Sequence, residues 1–201
     1  MELIVVRHGT TQGNLERRFI GTIDMPLHPS GEELARRVSA TLPPVDHVYH
    51  SPLIRCRQTA ELLWPTVERT VVDGLRETDF GCFEGKNHEE LKDDPLYQAW
   101  ISQDGGPDFA DSPVGETVEQ VMARVKIALE QIVADMHQKG YERVAAVSHG
   151  GALMGLLTQF ARPERAYYDW FCPNCGGYLT EICEEPLELR VKCELGGERA
   201  L

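Results

Sequence analysis

No apolar run in the chain approaches the length needed to cross a bilayer as a helix. The first apolar stretch, Glu2–Val6, is short and bounded by Glu2 and Arg7, which separates it from a secretory leader. Basic clusters are missing too: 20 Lys and Arg face 32 Asp and Glu, a formal net charge of −12, with no Lys/Arg run to neutralise a nucleic-acid backbone. There is no Gly-Lys-Ser/Thr loop of the Walker type. These absences exclude membranes and nucleic acid as expected partners and make a cytoplasmic location the default expectation. There the six cysteines read as thiols rather than disulfides.

What remains is an ordinary soluble composition, 42% hydrophobic and 26% charged over 201 residues, enough to bury a sizeable core. The informative stretch is Met1–Asn14. Glu2–Val6 is rich in Leu, Ile and Val and has the length and branching of a buried strand. It ends in Arg7-His8-Gly9. Open α/β sheets place ligands beyond the carboxyl ends of their strands. An arginine fork, a nucleophilic imidazole and a bare glycine at that point suit a dianionic phosphate, and Thr10, Thr11 and Asn14 follow with hydroxyl and amide groups. In so acidic a chain the phosphate site must be a local island of positive charge.

The pattern recurs. Asp46–His50 reads as a second strand, and Ser51-Pro52-Leu53-Ile54-Arg55 then opens a helix, whose N-terminus favours anions. Arg143–Ser148 reads as a buried strand that delivers His149-Gly150-Gly151, so the strands ending at His8 and His149 should lie side by side and parallel. Between them, Ser30 with Glu33 resembles a capping box for a helix carrying Leu34, Val38 and Leu42 and ended by Pro43-Pro44. Thr117 caps a long amphipathic helix with Val121, Val125, Leu129, Ile132 and Met136 on one face, and Gly140 ends it. Tyr178–Cys183 and Leu187–Cys193 read as a closing hairpin.

Taken together, these segments resemble the histidine phosphatase superfamily, the phosphoglycerate mutase-like proteins. Arg7-His8-Gly9-Thr10-Thr11-Gln12-Gly13-Asn14 fits its RHG-x-T-x-x-N signature. Gly21-Thr22-Ile23-Asp24-Met25-Pro26-Leu27 is similar to its G-x-x-D-x-P-L loop at the mouth of the site. Ser51–Ala60 resembles S-x-L-x-R-x-x-Q-T-A, Leu75–Gly85 resembles L-x-E-x-x-x-G-x-x-E-G, and Ser148–Gly151 matches S-H-G-G. The likeness runs from about residue 3 to about residue 180.

The resemblance implies a three-layer α/β/α sandwich with a mostly parallel central sheet, one domain over residues 1–201, and a short inserted lid at about 87–115. It implies His8 as the nucleophile, Arg7 and Arg55 as phosphate ligands, Glu77 as the proton donor to the leaving oxygen, and His149 as a phosphate donor. Thr11, Asn14, Gly21 and Gly150 are the implied substrate-binding positions. Arg57, two residues from Arg55 on a helix, faces elsewhere. Glu84 reads as structural, Glu116 as facing the site, and Tyr97, Trp100 and Phe109 as core first and pocket wall second.

No cofactor or metal is implied. By itself Cys172-Pro173-Asn174-Cys175-Gly176 reads as a zinc knuckle that Cys183 and Cys193 could complete; the family pattern makes these cysteines plain thiols. The short lid resembles the branch holding α-ribazole phosphatase and broad-specificity sugar phosphatases. A mutase uses a longer insertion with added basic residues, and here residues 87–115 offer only Lys92. The expected partner is a small phosphorylated metabolite, with a homodimer as the one assembly in view. Mutase-type phosphoryl transfer and a non-catalytic phosphate-binding protein are the alternatives.

Overall fold

The structure is a computed structural model and describes residues 1–102 and 115–196. In chain order its strands are β1 (Glu2–Arg7), β2 (His47–His50), β3 (Arg69–Val71), β4 (Arg143–Ser148), β5 (Ala161–Arg162), β6 (Gly177–Glu184) and β7 (Leu187–Leu195). They form one sheet in the order β3-β2-β4-β1-β6-β7-β5. β1 pairs in parallel with β4, as do β2 with β4 and with β3, while β6 runs antiparallel to β1 and β7.

Alternation along β1 decides the layers. Leu3 and Val5 face one side, with Val144 and Ala146 from β4, and Ile4 and Val6 face the other, with Ala145 and Val147. The first side is covered by α6 (Val118–Lys139) and α7 (Gly150–Phe160), and the second by α2 (Pro29–Ser39) and α3 (Ile54–Leu63). With both faces covered, the central strands are continuously apolar rather than alternating. This is the three-layer, mostly parallel arrangement expected from the sequence.

Helix ends follow local chemistry. Thr117 caps α6 in a capping box with Gln120, and Gly140 closes it in the left-handed conformation at φ 71°. The start of α2 differs from the sequence reading. His28, not Ser30, is the N-cap: its Nδ1 accepts the Ser30 amide at 3.2 Å, and Pro29 takes the first helical position, where a missing N–H costs nothing. Pro at that position outweighed the Ser-x-x-Glu pattern.

The lid begins with α4 (His88–Leu91) and α5 (Pro95–Ile101), the helix pair read from sequence. Phe83, Leu91 and Tyr97 form a small buried cluster of their own, with Phe19, Phe80, Leu96 and Trp100 packed around it. Phe109 and the Ser112-Pro113-Val114 stretch lie outside the described residues. No helix among the described residues is long and apolar enough to cross a membrane.

Candidate active site

The site is assembled at the carboxyl ends of β1 and β4. Their register pairs Arg7 with Ser148, and the His8 amide donates to the Ser148 carbonyl at 2.9 Å. The residues one step beyond, His8 and His149, therefore emerge together, with ring centroids 5.1 Å apart in an edge-to-face arrangement.

His8 is only 4% exposed. Its Nδ1 lies 2.7 Å from the Gly9 carbonyl. A carbonyl only accepts, so Nδ1 carries the proton and Nε2 keeps its lone pair. Burial holds the His8 pKa well below the ordinary imidazole range, and the charges of Arg55 and Arg7 push it further the same way. His8 is thus a neutral imidazole with one nitrogen anchored and the other available as a nucleophile.

Arg55 is fully buried at the start of α3. Its Nη1 donates to the Ile23 carbonyl at 2.9 Å, its Nη2 to the carbonyls of Ile20 (3.1 Å) and Gly21 (2.9 Å), and its Nε to His149 Nδ1 at 3.2 Å. Arg57, by contrast, is exposed, 4.0 Å from Glu61. Arg7 donates from Nη1 to the Cys172 carbonyl at 3.1 Å and lies over the Phe171 ring, 5.0 Å from its centroid. Arg7 Nε is buried with no hydrogen-bond partner. Among the described residues, neither Arg7 nor Arg55 has a carboxylate within 4.0 Å. Two buried or half-buried guanidiniums with no carboxylate in salt-bridge range create the positive island that the acidic chain required.

His149 is engaged at both nitrogens. Arg55 Nε can only donate, so Nδ1 accepts, and Nε2 carries the proton and donates to Ser51 Oγ at 2.7 Å. Burial and the neighbouring Arg55 and His8 keep its pKa well below the usual value. As placed, His149 orients the Arg55 guanidinium; sequence reasoning gave it a direct phosphate contact. Ser51 and Cys56, whose Sγ lies 3.3 Å from His149 Nε2, were not singled out from sequence.

Glu77 is 8% exposed and sits against the start of α7. Oε1 accepts from the amides of Thr78 (2.9 Å) and Ala152 (3.2 Å), and Oε2 from Gly151 at 3.3 Å. The segment that carries it is fixed by Arg124, which donates to the carbonyls of Gly74 (3.0 Å), Arg76 (2.7 Å) and Glu77 (3.0 Å). Glu116 bridges Arg124 and Arg76 at 2.7 and 2.9 Å, and these pairs hold its pKa below the usual carboxylate range against the opposing effect of burial. Arg124 escaped the sequence reading because nothing in the helical pattern marks one arginine as turned inward and half-buried.

The remaining predicted positions divide. Asn14 Oδ1 accepts from the Thr11 amide (3.0 Å) and from Asn174 Nδ2 (3.2 Å), and Asn174 also donates to the His8 carbonyl at 3.0 Å. Asn14 borders the cleft beside Arg7, whereas Thr11 is fully buried and caps α1 (Gln12–Leu15). Gly21 donates its amide to Glu84 Oε2 at 3.1 Å, and its carbonyl holds Arg55, so it shapes the site from behind. A methyl on Gly21 would lie 2.0 Å from the Thr78 carbonyl. Glu84, read as structural, ties Gly21, Thr22 and Phe80 together. Gly150 lies open to the site: a methyl there would stand 3.7 Å from Arg7 Nε and 3.9 Å from Glu77 Oε2. All six cysteines are thiols; Cys172 and Cys175 are buried, Cys183 half-buried and Cys193 exposed. No group of three or more His, Cys, Asp or Glu among the described residues could hold a metal ion.

Known proteins resemble this chain in sequence and in fold. A phosphoglycerate mutase-like protein from Arabidopsis thaliana is 34% identical over 170 residues, 81% of this chain and 71% of the relative. A broad-specificity phosphatase from Saccharomyces cerevisiae is 31% identical over 166 residues, 78% of this chain and 69% of the relative. The crystal structure of the α-ribazole phosphatase from Shigella flexneri superposes with a TM-score of 0.81 at 26% identity, covering 95% of both chains. The family profile described as the histidine phosphatase superfamily, branch 1, matches residues 3–192, and the chain belongs to that superfamily.

Proposed function

We propose that the chain is a phosphomonoesterase of small soluble phosphates that works through a phosphohistidine on His8. The observation that carries this reading is a neutral, carbonyl-anchored imidazole beside two guanidiniums that lack carboxylate partners. Nε2 attacks phosphorus in line, and the bond from phosphorus to the ester oxygen breaks. Arg7, with its unused Nε–H, meets the charge on the phosphoryl oxygens, and the buried Arg55 charge reinforces it. Glu77, in its acid form, gives its proton to the departing alkoxide. As a carboxylate it then takes a proton from water; the oxygen of that water attacks phosphorus, the P–N bond electrons return to Nε2, and inorganic phosphate leaves. The positive charge comes from side chains, so the reaction needs no metal.

α-Ribazole 5′-phosphate and sugar phosphates are the substrates this reading puts first, in a cytoplasmic enzyme acting alone or as a homodimer. Mutase-type transfer is the second reading, kept by the mutase-like relative. The one lysine of the lid speaks against it: Lys92 is paired with Glu89 at 3.1 Å on an exposed surface.

The test is phosphate release from p-nitrophenyl phosphate, with EDTA present, by wild type and His8→Ala. The expected result is turnover by wild type and a loss of at least about 10³-fold in the variant. Turnover retained without His8 overturns the mechanism. Conversion of 3-phosphoglycerate to its isomer without phosphate release selects the mutase reading, and phosphate binding with neither activity selects a binding protein.

A further inference from the structure

The proposed chemistry places the leaving group beside Glu77, and a chamber of about 210 Å³ opens against Thr78 and Gly151, whose amides both donate to the Glu77 carboxylate. A methyl on Gly151 would lie 2.7 Å from Glu77 Oε1 and 2.6 Å from Thr78 Oγ1, so the Glu77 carboxylate sits directly behind this part of the wall. Five aromatic side chains line it, Phe19, Phe80, Trp100, Tyr167 and Tyr168, together with the aliphatic Val118, Val121 and Met154. Three of the rings are locked against one another, Trp100 lying 5.4 Å from Phe19 and 6.3 Å from Phe80 in edge-to-face contacts. Tyr168 is 67% exposed at the rim, an unusual position for a large ring on a strongly acidic surface.

The polar groups of the chamber select in the same direction. Asp79 and Glu116 both line it. Glu116 is neutralised by Arg76 and Arg124, while Asp79 Oδ1 accepts the Gly81 amide at 2.8 Å and has no cation in salt-bridge range among the described residues, so the wall repels a second anionic group. A cavity of about 150 Å³ lined by apolar side chains is enough for a benzene ring. A chamber of 210 Å³ takes a bicyclic one.

We propose that this chamber is the leaving-group subsite and that it selects phosphomonoesters whose alcohol carries a flat, uncharged aromatic or heteroaromatic ring. Edge and face contacts with the five aromatic residues bind the ring, and the ester oxygen is thereby brought to Glu77. The proposal rests on the phosphatase reading and narrows it, favouring ring-bearing alcohols over bare sugars and over carboxylate-bearing alcohols.

The test compares 2-(1-naphthyl)ethyl phosphate with ethyl phosphate. Both expel a primary alkoxide, so their ratio of kcat/KM reports the chamber and not leaving-group ability. Wild type is expected to favour the naphthyl ester by at least about 10-fold, expressed mainly in KM. Met154→Trp fills the chamber and should lower that ratio by about 10-fold; Tyr168→Ala, on the exposed rim, should lower it by about 3-fold and serves if the first variant does not fold. A wild-type ratio near one, or a ratio unmoved by either variant, overturns the subsite while p-nitrophenyl phosphate turnover keeps the phosphatase reading intact. No turnover of any of the three esters overturns both.

Discussion

Acidification should unfold this protein early, and the reason lies in the two histidines of the site. His8 and His149 are 4% and 0% exposed, and both have pKa values well below the ordinary range because burial and the Arg55 charge disfavour the imidazolium. In the unfolded chain both return to about 6.5. The unfolded state therefore binds more protons at any pH below 6.5 and above the folded pKa values, so stability rises with pH through that window and falls as pH drops. For one such histidine, going from pH 7.5 to pH 5.5 costs at most about 1.4 kcal/mol, and for the pair at most about 2.7 kcal/mol, the limit in which neither ring takes a proton in the folded state over that range. With a urea m-value of about 2 kcal/mol/M, the midpoint should fall by up to roughly 1.4 M. His47 and His50, also shifted downward by burial, act in the same direction. The assay is urea unfolding at several pH values in phosphate-free buffer, since an anion in the site would mask the effect. His149→Gln removes one of the two groups and should recover about half of the pair's loss. A midpoint that stays flat from pH 7.5 to 5.5 would refute the assignment of both rings as buried and neutral.

Two further outcomes follow from other residues. Glu77→Gln should lower kcat/KM by about 10²–10³-fold for ethyl phosphate and far less for p-nitrophenyl phosphate, whose phenolate leaves without a proton; equal losses on both would sink the acid role. Arg17, exposed and held at φ 53°, occupies a backbone region that glycine adopts freely, so Arg17→Gly should stabilise the fold by about 0.5 kcal/mol in urea unfolding, and a destabilised variant would show that its side chain makes a contact that matters.

Much of this site is legible in the sequence, for a physical reason. A parallel sheet delivers the residues just past its strand ends to one place, so Arg7-His8-Gly9 after one apolar run and His149-Gly150 after another specify a meeting point. Gly140 likewise located the end of α6, and two strand-like runs in succession located the hairpin of β6 and β7. The groups that sequence left hidden are those whose role depends on a partner far along the chain. Arg124 acts through carbonyls 47 to 50 residues away, and Asn174 reaches back to the His8 carbonyl across 166. Thr11 shows the reverse: a hydroxyl in the right motif is spent on its own helix cap. His149 matched its motif, yet its contacts with Arg55 and Ser51 come from two other elements.

The lid cluster bears on how such an enzyme can diversify. Phe83, Leu91 and Tyr97 form a nucleus separate from the two layers that hold His8 and Arg55 in place. Replacing a lid ring perturbs that nucleus and the chamber beside it, and leaves the strand register that brings His8 and His149 together untouched. The two parts are thereby mechanically separate: a ring can be exchanged in the lid as a tool tip is changed on a fixed handle, without disturbing the joint that holds His8 beside His149.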